Sequence, residues 1–224
     1  MLTLGQGSTT PVASVRLEPG LPEDRTLGFR PAVSIDRAGR FFVVWPENYG
    51  LFAQRFKPTG VAFGPRFEIA HSAVGGVALA RAADGSMVVA WAEAAAGGAE
   101  GVRIVLARYT AAGKLVGTPR ALGNFPGFTK PVLALDATNN TTSASFALVW
   151  IDGERLRAQH LGADLAPRGA AIERALAPSE FGTAPGVSIG AALRKGELLV
   201  TWAGDMPDGF CPTNPIVAQR WSLR

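Results

Sequence analysis

Four carboxylates follow four tryptophans at nearly constant spacing: Glu47 after Trp45, Glu93 after Trp91, Asp152 after Trp150 and Asp205 after Trp202, at offsets of two, two, two and three residues. If these recurrences are equivalent positions of a ring, their oxygens can coordinate a hard cation or bind sugar hydroxyls. They can also supply the two carboxylates, about 5 to 9 Å apart, that glycoside hydrolysis needs. The same groups can instead cap turns, or pair with Arg30 and Lys130, which precede Pro31 and Pro131 at the entries of two opposite units. Spacing does not set the radius of such a ring, so a metal is left open.

A second candidate lies in the segment 203–215, which holds Asp205, Asp208, Phe210, Cys211 and Asn214 among three prolines. From each of the four Trp to the recurring Arg55, Arg108, His160 or Arg220 the spacing is 10, 17, 10 and 18 residues, so the second and fourth units carry the longer connections, 92–103 and 203–215. Long loops on a rigid frame are where binding usually resides. The ligand-binding set expected from the sequence is therefore Asp205, Asp208, Phe210 and Asn214, with Glu47, Glu93, Asp152, Arg30 and Lys130 beside them.

Catalytic motifs are sparse. There is no phosphate-binding Gly-rich loop, no His-Glu-x-x-His and no G-x-S-x-G elbow, and His71 and His160 are the two histidines. No catalytic residue is expected on these grounds, and no cofactor is called for. Cys211 is the single cysteine, so an internal disulfide is excluded. The formal charge of +4 is spread without a basic run, which argues against nucleic acid.

These residues are positioned by a repeat. Short apolar strands end in Trp at Phe41–Trp45, Met87–Trp91, Phe146–Trp150 and Leu198–Trp202, and partner phrases follow at Ala53–Phe56, Leu106–Tyr109, Ala158–Leu161 and Ala218–Trp221. With 46 to 59 residues between successive Trp, each copy is one sheet-forming unit that must stack on its neighbours. Strand A of each unit runs near 31–35, 77–80, 131–135 and 185–189; a turn with Gly39, Gly85 or Gly196 leads to strand B, and strand D falls near 66–69, 120–122 and 171–174. The fourth unit lacks a strand D, which the segment 12–18 is expected to supply, closing the ring without exposed edges.

The predicted fold is an all-β, four-bladed β-propeller in one domain, 1–224, with blades near 30–70, 76–123, 130–175 and 184–224 and an N-terminal strand, 12–18, completing the last blade. The repeated phrase resembles the propeller-type repeats of large bacterial surface and secreted proteins, and the blade count resembles hemopexin-type propellers, whose disulfide has no counterpart here. The stretch Ser34–Gly39 resembles the Asp-box of sialidase propellers only in part, since its Gly spacing differs.

The function expected is that of a non-catalytic binding module, not an enzyme, with its contact surface on the face of the D–A and B–C loops. A lectin-like propeller, a glycoside hydrolase-like enzyme and a subunit of a larger propeller assembly are the alternatives. A protein or glycan partner and a homo-oligomer are left open; membrane insertion is not expected, since no apolar stretch approaches the roughly 20 residues needed. The N-terminus shows no signal peptide. The resemblance favours an extracellular or cell-surface setting, although the compartment itself is not set.

Overall fold

The computed structural model describes residues 31–36, 38–47, 50–95, 101–125, 131–136, 144–176, 188–203 and 216–223. Runs of β-branched and aromatic residues broken by glycine turns form four antiparallel sheets arranged as a four-bladed β-propeller. The first blade contains β1 (Ala32–Ile35), β2 (Phe41–Glu47), β3 (Gly50–Phe56) and β4 (Phe67–Ala70). The second contains β5 (Ala73–Arg81), β6 (Met87–Ala94), β7 (Val102–Tyr109) and β8 (Leu115–Phe125), and the third β9 (Val132–Leu135), β10 (Phe146–Asp152), β11 (Arg155–Leu161) and β12 (Ile172–Ala175). The fourth has three described strands, β13 (Ser188–Arg194), β14 (Glu197–Ala203) and β15 (Ile216–Ser222). Each blade follows a simple meander, and β1, β5, β9 and β13 approach one another in succession around the centre.

Blade-to-blade packing supplies the core. Phe42, Val44 and Leu51 of the first blade meet Met87, Val89 and Trp91 of the second. The second and third blades join through Ile104, Leu106, Phe146 and Trp150, and the third and fourth through Val149, Leu156, Val200 and Trp202. Full burial of a side chain of this size stabilises by about 2–3 kcal/mol, so these three layers carry much of the fold. The fourth and first blades share no such buried cluster among the described residues, and Val33, Ile35 and Ile216 are exposed. The expected closing strand 12–18 lies outside the described residues.

Three boundaries differ from those predicted. The segment 92–103 is strand at both of its ends, 92–94 and 102–103, because β7 stays paired with β6 as far as Ala94 opposite Val102. Strand β5 begins at Ala73, across a register shift before Val77. Strand β8 spans 11 residues because it follows β7 along nearly its whole length, through two register shifts. The turn glycines behave as expected: Gly39, Gly85 and Gly196 have φ of 73, 81 and 75°, a region that disfavours residues with a Cβ.

Candidate functional site

The post-Trp carboxylates are held inside their own blades. Glu47, 7% exposed, accepts from the Trp45 indole at 3.2 Å and from both Arg66 terminal nitrogens at 2.8 and 3.2 Å. Arg66 stacks in turn over Phe52, 4.3 Å from the ring centroid. Glu93 repeats the arrangement: Trp91 donates to Oε2 at 3.0 Å, and Arg103, directly opposite on β7, donates its Nε–H to Oε1 at 2.8 Å. Asp152 is buried beside Arg157, whose Nε lies 3.0 Å from Oδ2 without the alignment of a hydrogen bond.

These three carboxylates are thus neutralised by arginines five to nineteen residues away within their own blades. Among the described residues, no group of three acidic, histidine or cysteine side chains is arranged to hold a metal ion. Arg30, Lys130, Asp205, Asp208, Phe210 and Asn214 lie outside the described residues.

The repeated Gln and Arg/His positions also serve the frame. Gln54 donates to Gly64 O at 2.7 Å, and Gln159 to His160 O at 3.0 Å and Gly169 O at 3.3 Å, tying each C–D loop to strand C. Arg108 donates to Ala163 O of the next blade. His160 Nε2 is buried without a hydrogen-bond partner. Burial and then the charge of Arg168 hold this imidazole below its ordinary pKa, against the opposing pull of Asp136, so it is neutral at pH 7.

An open groove lies elsewhere, at the end of the ring where strand A turns into strand B. It has a volume of about 460 Å³, and its lining includes Asp36 and Arg40 from the β1–β2 turn, Arg81 and Asp84 from β5 and its turn, and Leu135 at the end of β9. Three inner strands therefore deliver residues to one mouth. The first two turns have the same backbone frame, with Asp36 N–H donating to Arg40 O and Ala82 N–H to Ser86 O.

Asp36 is held by several partners. Its Oδ1 accepts the backbone N–H of Ala38 and of Arg40, both at 2.9 Å, and its Oδ2 accepts Arg40 Nε–H at 2.8 Å. Arg81 Nη2 lies 3.3 Å from the same Oδ2, linking the second blade to the first. Burial pushes the Asp36 carboxyl up, but the Arg40 hydrogen bonds and the charges of Arg81 and Arg40 outweigh it and hold the group below its usual range. Asp84 Oδ1 accepts from Ser86 N–H at 2.8 Å and from the Ser86 hydroxyl at 2.6 Å. The groove thus offers one firmly anionic carboxylate, a second one fixed by a serine, and the half-exposed Arg40 at its rim, held by Asp36.

Sequence reasoning passed over Asp84, Arg40 and Arg81. Their signal was the turn itself: Asp36 and Arg40 stand four apart around Gly39, and Arg81 and Asp84 stand just before Gly85.

No family model matches the chain, and no curated protein matches it significantly. Among solved structures, it resembles an α-L-arabinofuranosidase from Clostridium thermocellum at 11% identity, covering 85% of this chain and 67% of that one with a TM-score of 0.43. It also resembles an endo-arabinase from Bacteroides thetaiotaomicron (12% identity, 87% and 80% covered, TM-score 0.47) and an α-L-arabinofuranosidase from Lactobacillus brevis (10%, 86% and 67%, 0.48). Likeness at this level concerns the fold alone.

Two expectations are corrected, the non-catalytic module and the exclusion of an enzyme: both rested on the absence of linear motifs, and the proteins named here are two arabinofuranosidases and an endo-arabinase. The physical reason is that glycoside hydrolysis needs two carboxylates brought together by the fold, which leaves no linear motif of the kinds found absent. The groove also lies on the A–B face, opposite the D–A and B–C face chosen from loop length.

Proposed function

We propose that the protein is a glycoside hydrolase-like enzyme whose substrate enters the groove at the A–B face. The observation that carries this reading is the pair of carboxylates, Asp36 and Asp84, lining one groove from corresponding turns of adjacent blades. In the proposed chemistry Asp84 gives a proton to the glycosidic oxygen and the C–O bond to the anomeric carbon breaks. Asp36, kept ionised by Arg40 and Arg81, stabilises the positive charge that develops on the sugar; water then attacks the anomeric carbon, giving its hydroxyl to the sugar and its proton to the Asp84 carboxylate, which restores the acid. Arg40, half-exposed at the rim, presents the outer part of its guanidinium to sugar hydroxyls while its Nε–H stays on Asp36. Glu47, Glu93 and Asp152 act in this reading as frame, not as ligands. The resemblance of the repeat to surface and secreted proteins supports an extracellular setting for a polysaccharide substrate.

The test is turnover of a panel of aryl glycosides, arabinofuranosides included, by the wild-type protein and by Asp36→Asn and Asp84→Asn. A positive result is hydrolysis that falls by about 100-fold or more in each variant while the melting profile stays cooperative. A panel left intact by the wild type, or hydrolysis that persists in the double variant, overturns the reading.

A further inference from the structure

Beside the groove, three arginines, Arg40, Arg55 and Arg81, line a second, smaller cavity of about 30 Å³ together with Phe41, Phe56 and Phe63. Asp36 is the carboxylate that pairs with two of them, at 2.8 Å to Arg40 and 3.3 Å to Arg81. Arg55 is different. Its Nε is buried and has no hydrogen-bond partner, its guanidinium lies 4.9 Å from the Phe63 ring centroid, and among the described residues no carboxylate pairs with it.

Three arginines against the one carboxylate that pairs with two of them leave an excess of positive charge beside the aromatic rings, with Arg81 largely buried and Arg40 half-exposed. Arg40 and Arg81 are close enough for their charges to oppose each other. An unmet N–H of a charged group is among the costlier features a buried site can contain. A single water fits the volume and can satisfy the Arg55 Nε–H, but it leaves the charge uncompensated.

We propose that this cavity is a binding site for one small monovalent anion of halide size, held by Arg55 with Arg40 and Arg81. The anion accepts the orphan N–H, balances the excess charge and joins the first blade, through Arg55, to the second, through Arg81. The site shares Arg40 and Arg81 with the groove and is told apart from it by Arg55, which lines this cavity and not the groove, so a halide effect lost in Arg55→Met tests the anion site whether or not the groove turns over a glycoside.

Sodium bromide and sodium chloride, compared with sodium gluconate at equal ionic strength, test it. The melting temperature of the wild type is expected to rise saturably with halide, by roughly 3 °C at ten times the dissociation constant, and that of Arg55→Met to show no such rise. Should Arg55→Met fail to fold, a wild-type crystal soaked in bromide decides the matter, with an anomalous peak expected in the cavity. Equal melting temperatures of the wild type in bromide and gluconate, or a soaked crystal whose cavity holds water only, overturn the proposal.

Discussion

Trp91 donates its indole N–H to Glu93, two residues further along the same strand, at 3.0 Å, and Trp45 does the same to Glu47 at 3.2 Å. Residues two apart on a strand share a face, so a glutamate at this offset can reach back to the ring nitrogen while its other oxygen meets an arginine. In the third blade the acid is Asp152, one methylene shorter, and Trp150 Nε1 is buried with no partner.

Lengthening that side chain is therefore expected to help. Asp152→Glu should restore the acceptor and stabilise the protein by about 1 kcal/mol, the usual net value of one buried hydrogen bond. Glu93→Ala should act in the opposite direction, at a cost of about 2 kcal/mol, since it strands both Trp91 Nε1 and Arg103. Urea denaturation of the three proteins measures both, and a destabilised Asp152→Glu would show that the shorter acid is fitted to Arg157 rather than a compromise.

This relationship also marks how far the sequence could be read. The recurrence of Trp and of the turn glycines Gly39, Gly85 and Gly196 was enough for the blade architecture, because pairing and burial in a meander depend on neighbours close in sequence. The use made of the carboxylates was not legible. Whether Glu47 faces a channel or Arg66 depends on the position of a residue nineteen places away, beyond β3 and the register shift of its pairing with β4. The groove was missed for a related reason: Asp36, Arg81 and Leu135 stand on three different blades and meet only when the inner strands are brought round the centre.

Asp36 gives an acid-side prediction. Its folded pKa lies below the usual value near 3.8, so the folded state holds this proton less tightly than the unfolded chain does. The stabilisation is present above the unfolded value and is lost as pH falls through the folded one. Asp36→Asn should thus melt lower than the wild type at neutral pH, and the two curves should converge below about pH 3.8. Parallel curves across that range would mean that Arg40 and Arg81 contribute nothing through this carboxyl.

Tyr109 gives the alkaline counterpart. It is 4% exposed, packs against Phe67 at 5.8 Å between ring centroids, and burial pushes its hydroxyl up to about 12. A phenol that ionises near 10 in the unfolded chain and near 12 in the folded one contributes stability that is present below pH 10 and lost as pH rises towards 12. Tyr109→Phe should flatten this loss, as followed by melting temperature against pH. An equally steep alkaline limb in the variant would assign the loss to other groups.

Leu165 tests the balance between backbone strain and packing. The C–D turns of the first two blades place Gly60 and Gly113 at φ of 82°, and the third blade uses the same hydrogen-bonded turn with Leu165 at 62°. A left-handed leucine costs about 1–2 kcal/mol of backbone energy. Yet Leu165 is 5% exposed and belongs to the core between the second and third blades, with Phe146 and Leu161. Removing a buried leucine side chain costs about 3–5 kcal/mol, so Leu165→Gly should lose about 2 kcal/mol in total despite the relief of strain. The sign of the change in urea midpoint decides between the two effects: a fall means that the leucine is retained for its side chain, and a rise would mean that the turn conformation outweighs the core.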